Sequence, residues 1–276
     1  MDMIDSLVTI GIKTFCRPGA LNETLFNIID KSKYTNIKIL IADDSSEECK
    51  KQNKYLIEIY KKKNKNIKLI SLDFDVGISE GRNVLVKNCT TKYFLLLDDS
   101  RYFNRETNIE KMVKFLEITN YDMIGGVIQN RQGIDKHYSG LFKKIIKDAN
   151  NNTYIYVSNV KDKIDNDILL SLHTNIMVNV FICKTSVLIE CPWKKELKVN
   201  EHEQFFLDIY NKNYKCAISP SSIFFQVLDI NRIYPNNMLK EFRLRDQTTI
   251  KSNVNVIFTN NSNNLIKKKT LNYTES

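Results

Sequence analysis

Little in these 276 residues interrupts the chain: there are 8 glycines and 4 prolines, and no Pro/Gly/Ser-rich linker. This excludes a low-complexity spacer and favours one folded domain. No apolar run approaches the roughly 18 residues of a membrane span. The N-terminus, MDMIDSLVTIGIKTF, carries acids and no basic segment, so it is not a secretory signal. The first strand begins almost at once, so no stem or targeting segment is expected ahead of the fold. A cytoplasmic protein is expected, with peripheral membrane contact left open. The six cysteines, Cys16, Cys49, Cys89, Cys183, Cys191 and Cys216, form no CxxC pair. Free thiols are expected in place of disulfides or a zinc site. Aromatic-interleaved arginines are also missing, so nucleic acid is not an expected partner despite the net charge of +9. Much of that charge lies between Lys50 and Lys68, eight lysines against Glu58 alone. This stretch falls on a predicted helix and the loop after it, and reads as a solvated face.

What is present is alternation. Apolar runs at Leu7–Ile12, Ile37–Ala42, Ile67–Leu72 and Tyr93–Leu97 read as buried strands. Between them, Leu21, Leu25, Ile28 and Ile29 recur at helical spacing. A polar helix to about Lys63 follows the second strand, with Leu56, Ile59 and Tyr60 as its inner face. VGISEGRNVLVKNC gives a glycine-marked turn and a helix, and Ile109, Met112, Val113 and Leu116 mark another. Such β-α alternation implies a parallel sheet flanked by helices. The second half is less regular. Strands are expected at Asp122–Ile128, Tyr154–Val157, Ile176–Cys183 and Ile223–Leu228. Helices are expected at Lys184–Ile189 and Asn200–Asn211, the latter with Phe205, Phe206 and Ile209 inward. Residues 130–153 read as loop. The expected organisation is one domain over 1–250, with a nucleotide-binding half to about 128, an acceptor-side half over 129–250, and a peripheral Asn/Lys-rich tail over 251–276.

Two of the strands, the second and the fourth, end in Asp-Asp-Ser: Asp43-Asp44-Ser45 and Asp98-Asp99-Ser100. In a parallel sheet both ends fall on one rim, the carboxyl edge where open α/β sheets bind ligands. Adjacent carboxylates repel unless a cation or ligand hydroxyls lie between them. The plain alternative is an acidic turn closing each strand.

The ordered phrases VTIGIKTFCR, ILIADDS, EGRNVLV, TTKYFLLLDDS, VNVFICKTSVL and EHEQFFL resemble the GT-A fold glycosyltransferases of the family-2 type. Among these they are most similar to the β-1,4-N-acetylgalactosaminyltransferases of the ganglioside-synthase type. The resemblance runs from about Val8 to Arg243 and includes IYPNNMLKEFRLR. It implies an inverting, metal-dependent transferase that moves a sugar from a UDP-sugar to a glycan or glycolipid hydroxyl, the sugar being N-acetylgalactosamine or a related hexose. It assigns Thr14 and Arg17 to the base or phosphates, Asp44 to the uracil imide and Arg82 to phosphate. Asp98 falls to the ribose and Asp99 to a Mn²⁺ or Mg²⁺ ion, with Gln226 where relatives place a histidine ligand. The base is expected at the start of the EHEQFF helix, with His202 leading and Glu201 and Glu203 as rivals. Glu203 has a competing role, a capping box with Asn200. Trp193 suits sugar stacking or packing equally, Asn175 and Asn179 flank the strand before it within reach of the donor sugar, and His137 and His173 have no partner pattern. Ser100, Gln204 and Gln226 stand where relatives often carry acids or histidine. They motivate a second reading, a sugar-nucleotide-binding protein without transfer activity. A third is a basic adaptor for nucleic acid or anionic membrane.

Overall fold

A computed structural model of the chain describes residues 3–130, 135–136, 139–150, 153–197, 201–227 and 254–258. A short helix, α1 (Met3–Leu7), leads into β1 (Val8–Thr14). Then follow α2 (Pro18–Phe26), β2 (Lys38–Asp43), α3 (Glu47–Lys61), β3 (Ile67–Ser71), α4 (Ile78–Lys87), β4 (Tyr93–Asp98), β5 (Arg101–Tyr102) and α5 (Ile109–Ile118). The second half holds β6 (Met123–Gln129), β7 (Asp135–Lys136), β8 (Ser139–Lys147), β9 (Thr153–Ser158), β10 (Leu172–Thr174), β11 (Ile176–Met177) and β12 (Phe181–Lys184). It closes with α6 (Thr185–Glu190), α7 (Glu201–Asn211), β13 (Cys216–Gln226) and β14 (Val254–Phe258).

The main sheet runs β10-β13-β6-β12-β4-β1-β2-β3, with β5 on β13 and β7 on β6. The β4-β1-β2-β3 half is parallel, and β12 enters antiparallel between β4 and β6. A second sheet runs β11-β8-β9-β14. Successive side chains of a strand point to opposite faces, and both faces of the central strands are covered. Ile10, Ile12, Leu95 and Leu97 join Leu21, Leu25, Ile57 and Met112 in one core. Phe94 and Leu96 join Leu85, Phe205, Phe206 and Trp193 in the other. This two-sided burial explains why these strands read as continuous apolar runs.

Several expectations are corrected. Residues 139–147 are not loop but strand β8, half of which faces solvent, so its lysines hid the pattern. Ile176–Cys183 is not one strand: β11 pairs with β8 in the second sheet and β12 with β4 in the first. The buried positions of α3 are Cys49, Asn53, Ile57 and Tyr60, whereas Ile59 is exposed. Within the tail read as peripheral, β14 pairs in parallel with β9 at the edge of the second sheet, in keeping with a peripheral position. His137, Asn200 and the IYPNNMLKEFRLR phrase lie outside the described residues. No helix among the described residues is long and apolar enough to cross a membrane, and all six cysteines are free thiols.

One close approach fixes the site's floor. A Cβ on Gly81 would lie 2.3 Å from Lys13 Cδ, so only glycine lets the first turn of α4 rest on the Lys13 stem. Gly81→Ala is expected to lower stability by about 1–3 kcal/mol, as overpacking does. Chemical denaturation checks this; an unchanged midpoint would mean that Lys13 moves aside freely.

Candidate active site

The site begins with strand order. β1 lies between β2 and β4, with Thr14 opposite Asp43 and Lys13 opposite Asp98. The two Asp-Asp-Ser ends therefore flank the end of β1 on one rim. They are not equivalent. Asp43 is consumed locally: Ser45 N donates to Oδ1 at 3.0 Å and Asn53 Nδ2 to Oδ2 at 2.8 Å. Asp44 is buried, ion-paired through Oδ1 to Lys13 Nζ, and its Oδ2 accepts from Gly77 N at 3.0 Å. Gly77 has φ 95°, which a residue without Cβ adopts at no steric cost. Phe15 and Phe74 lie beside this loop, ring centroids 5.7 Å apart.

Asp99 is enclosed. Its Oδ2 accepts from Thr14 Oγ1 at 2.9 Å, its Oδ1 pairs with Arg17 Nη1 at 2.8 Å, and Thr24 Oγ1 donates to its carbonyl at 2.9 Å. Burial raises its carboxyl pKa, against the opposing pull of Arg17 and Thr14. Asp98 is more open, with 30% of its side chain exposed.

Arg82 is not at the surface. It is fully buried, donates to Asp98 Oδ1 at 3.0 Å and to Glu201 Oε1 at 2.9 Å, and its guanidinium sits 5.5 Å from the Trp193 ring. It thus joins the end of β4 to the start of α7. Glu201 is held there by this ion pair and is 11% exposed at its side chain. His202 is half-buried. Its Nδ1 lies 2.8 Å from Asn179 Oδ1, an atom that only accepts, so the proton sits on Nδ1 and the lone pair on Nε2. Burial, then the charge of Arg82, pushes the imidazole pKa down to about 3. Glu203 is buried and its pKa is raised, first by burial and also by Glu201.

Asn179, flagged only loosely in the sequence, is thus the partner of His202, while Asn175 Oδ1 accepts from Phe142 N at 2.9 Å and is structural. Trp193 packs: it is 2% exposed and stacked 4.4 Å from Phe205. Gln204 donates to Asp208 Oδ1 at 2.7 Å. His173 lies 3.3 Å from the Tyr121 hydroxyl, away from the rim. Lys13 was missed, although a lysine near the end of an otherwise uncharged strand was a signal.

A cation has a partial donor set here. Gln226 pairs in register with Arg101, beside the Asp98-Asp99 turn, and Val227 N donates to Ser100 O at 2.9 Å. Gln226 Oε1 is buried and has no hydrogen-bond partner among the described residues. With the open carboxylate of Asp98, this gives hard oxygens of the type Mg²⁺ and Mn²⁺ take. No cluster of three or more His, Cys, Asp or Glu residues surrounds an ion position among the described residues. These residues suit a cation that is completed by a ligand's phosphate oxygens, not a closed protein cage.

Comparison with known proteins bears on this rim. The family model described as "Glycosyl transferase family 2" matches residues 9–184. Beta-1,4 N-acetylgalactosaminyltransferase 2 of Mus musculus is 29% identical over 74% of this chain and 36% of its own length. Beta-1,4 N-acetylgalactosaminyltransferase 1 of Homo sapiens is 33% identical over 50% of this chain and 24% of its own. The chain thus spans about a quarter to a third of these relatives. Among solved structures, S. aureus TarS 1-349 superposes with TM-score 0.56 at 16% identity, covering 89% of this chain and 72% of that one. GalNAc-T7, solved with UDP, GalNAc and Mn²⁺, gives 0.61 at 14% identity, covering 83% and 45%. The fold is the GT-A fold, a largely parallel sheet with flanking helices.

Proposed function

The chain belongs to glycosyl transferase family 2, and from that premise we propose that it transfers a sugar from a UDP-sugar to a glycan or glycolipid hydroxyl, with inversion. The observation that carries this reading is the gathering of Thr14, Arg17, Asp44, Asp98 and Asp99 on one rim, tied by Arg82 to Glu201 of α7. N-acetylgalactosamine or a related hexose is the sugar we favour, on the kinship with the two N-acetylgalactosaminyltransferases. The uracil would lie toward Asp44, whose carboxylate has lone pairs beyond those used by Lys13 and Gly77. Arg17 would turn toward the diphosphate. Asp99 and Gln226 would hold a divalent cation, which would supply positive charge for the departing diphosphate, and Asp98, assigned from the resemblance to the ribose, is open enough to join them as a ligand. Because Arg17 and Thr14 already engage Asp99, the cation must compete with them. Mn²⁺ is therefore expected to bind at least tenfold more tightly with UDP than without it, and UDP likewise with Mn²⁺. Calorimetry in both orders checks this; equal affinities would remove the cation from the donor site.

His202 is our base, taking the acceptor proton on Nε2 while Asn179 fixes the tautomer. A base works only when deprotonated. With the pKa pushed down to about 3, His202 stays neutral throughout the neutral range, where it is deprotonated but a weak proton acceptor. The acid limb of the rate profile is then expected well below pH 6. If Glu203 were the base, its raised pKa would move that limb upward, and Glu203→Gln would abolish turnover while His202→Ala would not. The test of function itself is UDP release from a panel of nucleotide-sugars with wild type and His202→Ala. UDP binding without release from any donor would favour the inactive binding protein.

A further inference from the structure

The lysines of the basic stretch and its surroundings differ in their partners. Lys50, Lys61, Lys63 and Lys92 each have a carboxylate oxygen within 3.0 Å, from Glu47, Glu58, Asp30 and Glu117. Lys38, Lys51, Lys54, Lys62, Lys65 and Lys68 have no such partner among the described residues, and of these Lys38, Lys65 and Lys68 come together. They line a cleft of about 250 Å³ together with Asn66, Asn88 and Thr90, and no acid contributes to its walls. Lys38 Nζ donates to Thr90 Oγ1 at 3.3 Å and Lys68 Nζ to Asn88 Oδ1 at 2.9 Å. Two of the three ammonium groups are therefore held in place by neutral partners, ordered without being neutralised. Part of their charge faces the carboxyl end of α4, which favours cations, but a helix end carries only about half a unit charge against three full ones.

The cleft lies at the opposite edge of the sheet from the proposed donor site. Thr9, Lys38 and Ile67 stand at the amino ends of β1, β2 and β3, Thr9 opposite Lys38 and Ile67 opposite Ile39. Strands of this length, at about 3.3 Å per residue, put the two rims roughly 20 Å apart. The volume falls below the ~300–1,000 Å³ of typical organic-ligand pockets, too small for a second nucleotide-sugar.

We propose that this cleft binds a phosphate-bearing anion, a phosphomonoester or a lipid phosphate headgroup, on the face opposite the catalytic rim. A headgroup held there leaves the catalytic rim turned away from the surface that carries it. The proposal does not depend on the identity of the donor sugar or the base.

The test uses the whole chain and inorganic phosphate, followed by amide NMR at Asn66, Asn88 and Thr90. Saturable shifts are expected there and not at Gly77 or Asp99. Each of Lys38→Gln, Lys65→Gln and Lys68→Gln should weaken binding about fivefold, the worth of one lysine near an anionic surface. Melting temperatures of these exposed-site variants should not fall. Co-sedimentation with phosphatidylcholine vesicles, with and without phosphatidic acid, separates the sources. Binding only to the phosphatidic acid vesicles, lost in the triple variant, assigns a headgroup; no vesicle binding with saturable phosphate shifts assigns a soluble phosphate. Shifts that never saturate, or that persist unchanged in the triple variant, overturn the proposal.

Discussion

Replacing Asp99 by asparagine is expected to cut UDP-sugar turnover by roughly 10²–10³, the range seen when one preorganised electrostatic contact is removed from an active site, while the melting temperature holds or rises. The two outcomes have separate causes. Asp99 is buried, and burial raises its pKa. A raised acid pKa means that the folded state disfavours the charged form, so this group's contribution to stability falls as pH rises through that range. A neutral amide of nearly the same shape removes that burden, and Thr24 still holds the backbone carbonyl. Function has the opposite dependence. The carboxylate alone pairs with Arg17 at 2.8 Å while accepting from Thr14 at 2.9 Å, and an amide can neither hold the guanidinium electrostatically nor serve as an anionic cation ligand. Turnover near wild type with Asp99→Asn would remove Asp99 from the chemistry; a large fall in melting temperature would show that the residue is structural.

Arg82→Met is expected to be the most destabilising single change at the rim. The fully buried guanidinium satisfies both Asp98 and Glu201, and removing one partner of a buried ionic group typically costs about 3–5 kcal/mol because charges are left uncompensated. For a chain of this size that corresponds to a melting temperature lower by on the order of 10 °C. The sharper check is a comparison. Combining Arg82→Met with Asp98→Asn and Glu201→Gln should recover much of the loss, since replacing a whole buried ionic group costs less than breaking it. If the triple variant is as unstable as the sum of its parts, the three residues are not coupled.

The contrast between these residues shows what the sequence discloses. Asp98 and Asp99 were visible because five apolar residues stop on two acids, a pattern that survives without knowledge of neighbours. Their different surroundings were not visible: one is crossed by Arg82 from α4, the other by Arg17 from the loop before α2, and both contacts depend on which strand lies next to which. The Asp43–Asp44 echo misled in part, since Asp43 is taken up by Ser45 and Asn53. Lys13 faces α4 across Gly81, a packing relation that only strand order and face reveal. The break between β11 and β12 falls at Val178 and Asn179, two half-buried residues in an otherwise apolar run, too short an interruption to mark where the chain changes sheet. Partial exposure hid β8. In α3, Tyr60 is buried and Leu56 packs on the core as expected, but Ile59 is exposed, because an amphipathic surface helix rich in lysine offers few apolar residues to set its face.

The central claim is that the rim where β1, β2 and β4 end is a UDP-sugar site. Calorimetric titration of the wild-type chain with UDP in the presence of Mn²⁺ tests it most directly. The account predicts saturable one-to-one binding that Asp98→Ala weakens at least tenfold. Absence of binding, or binding indifferent to Asp98 and to the cation, would contradict it.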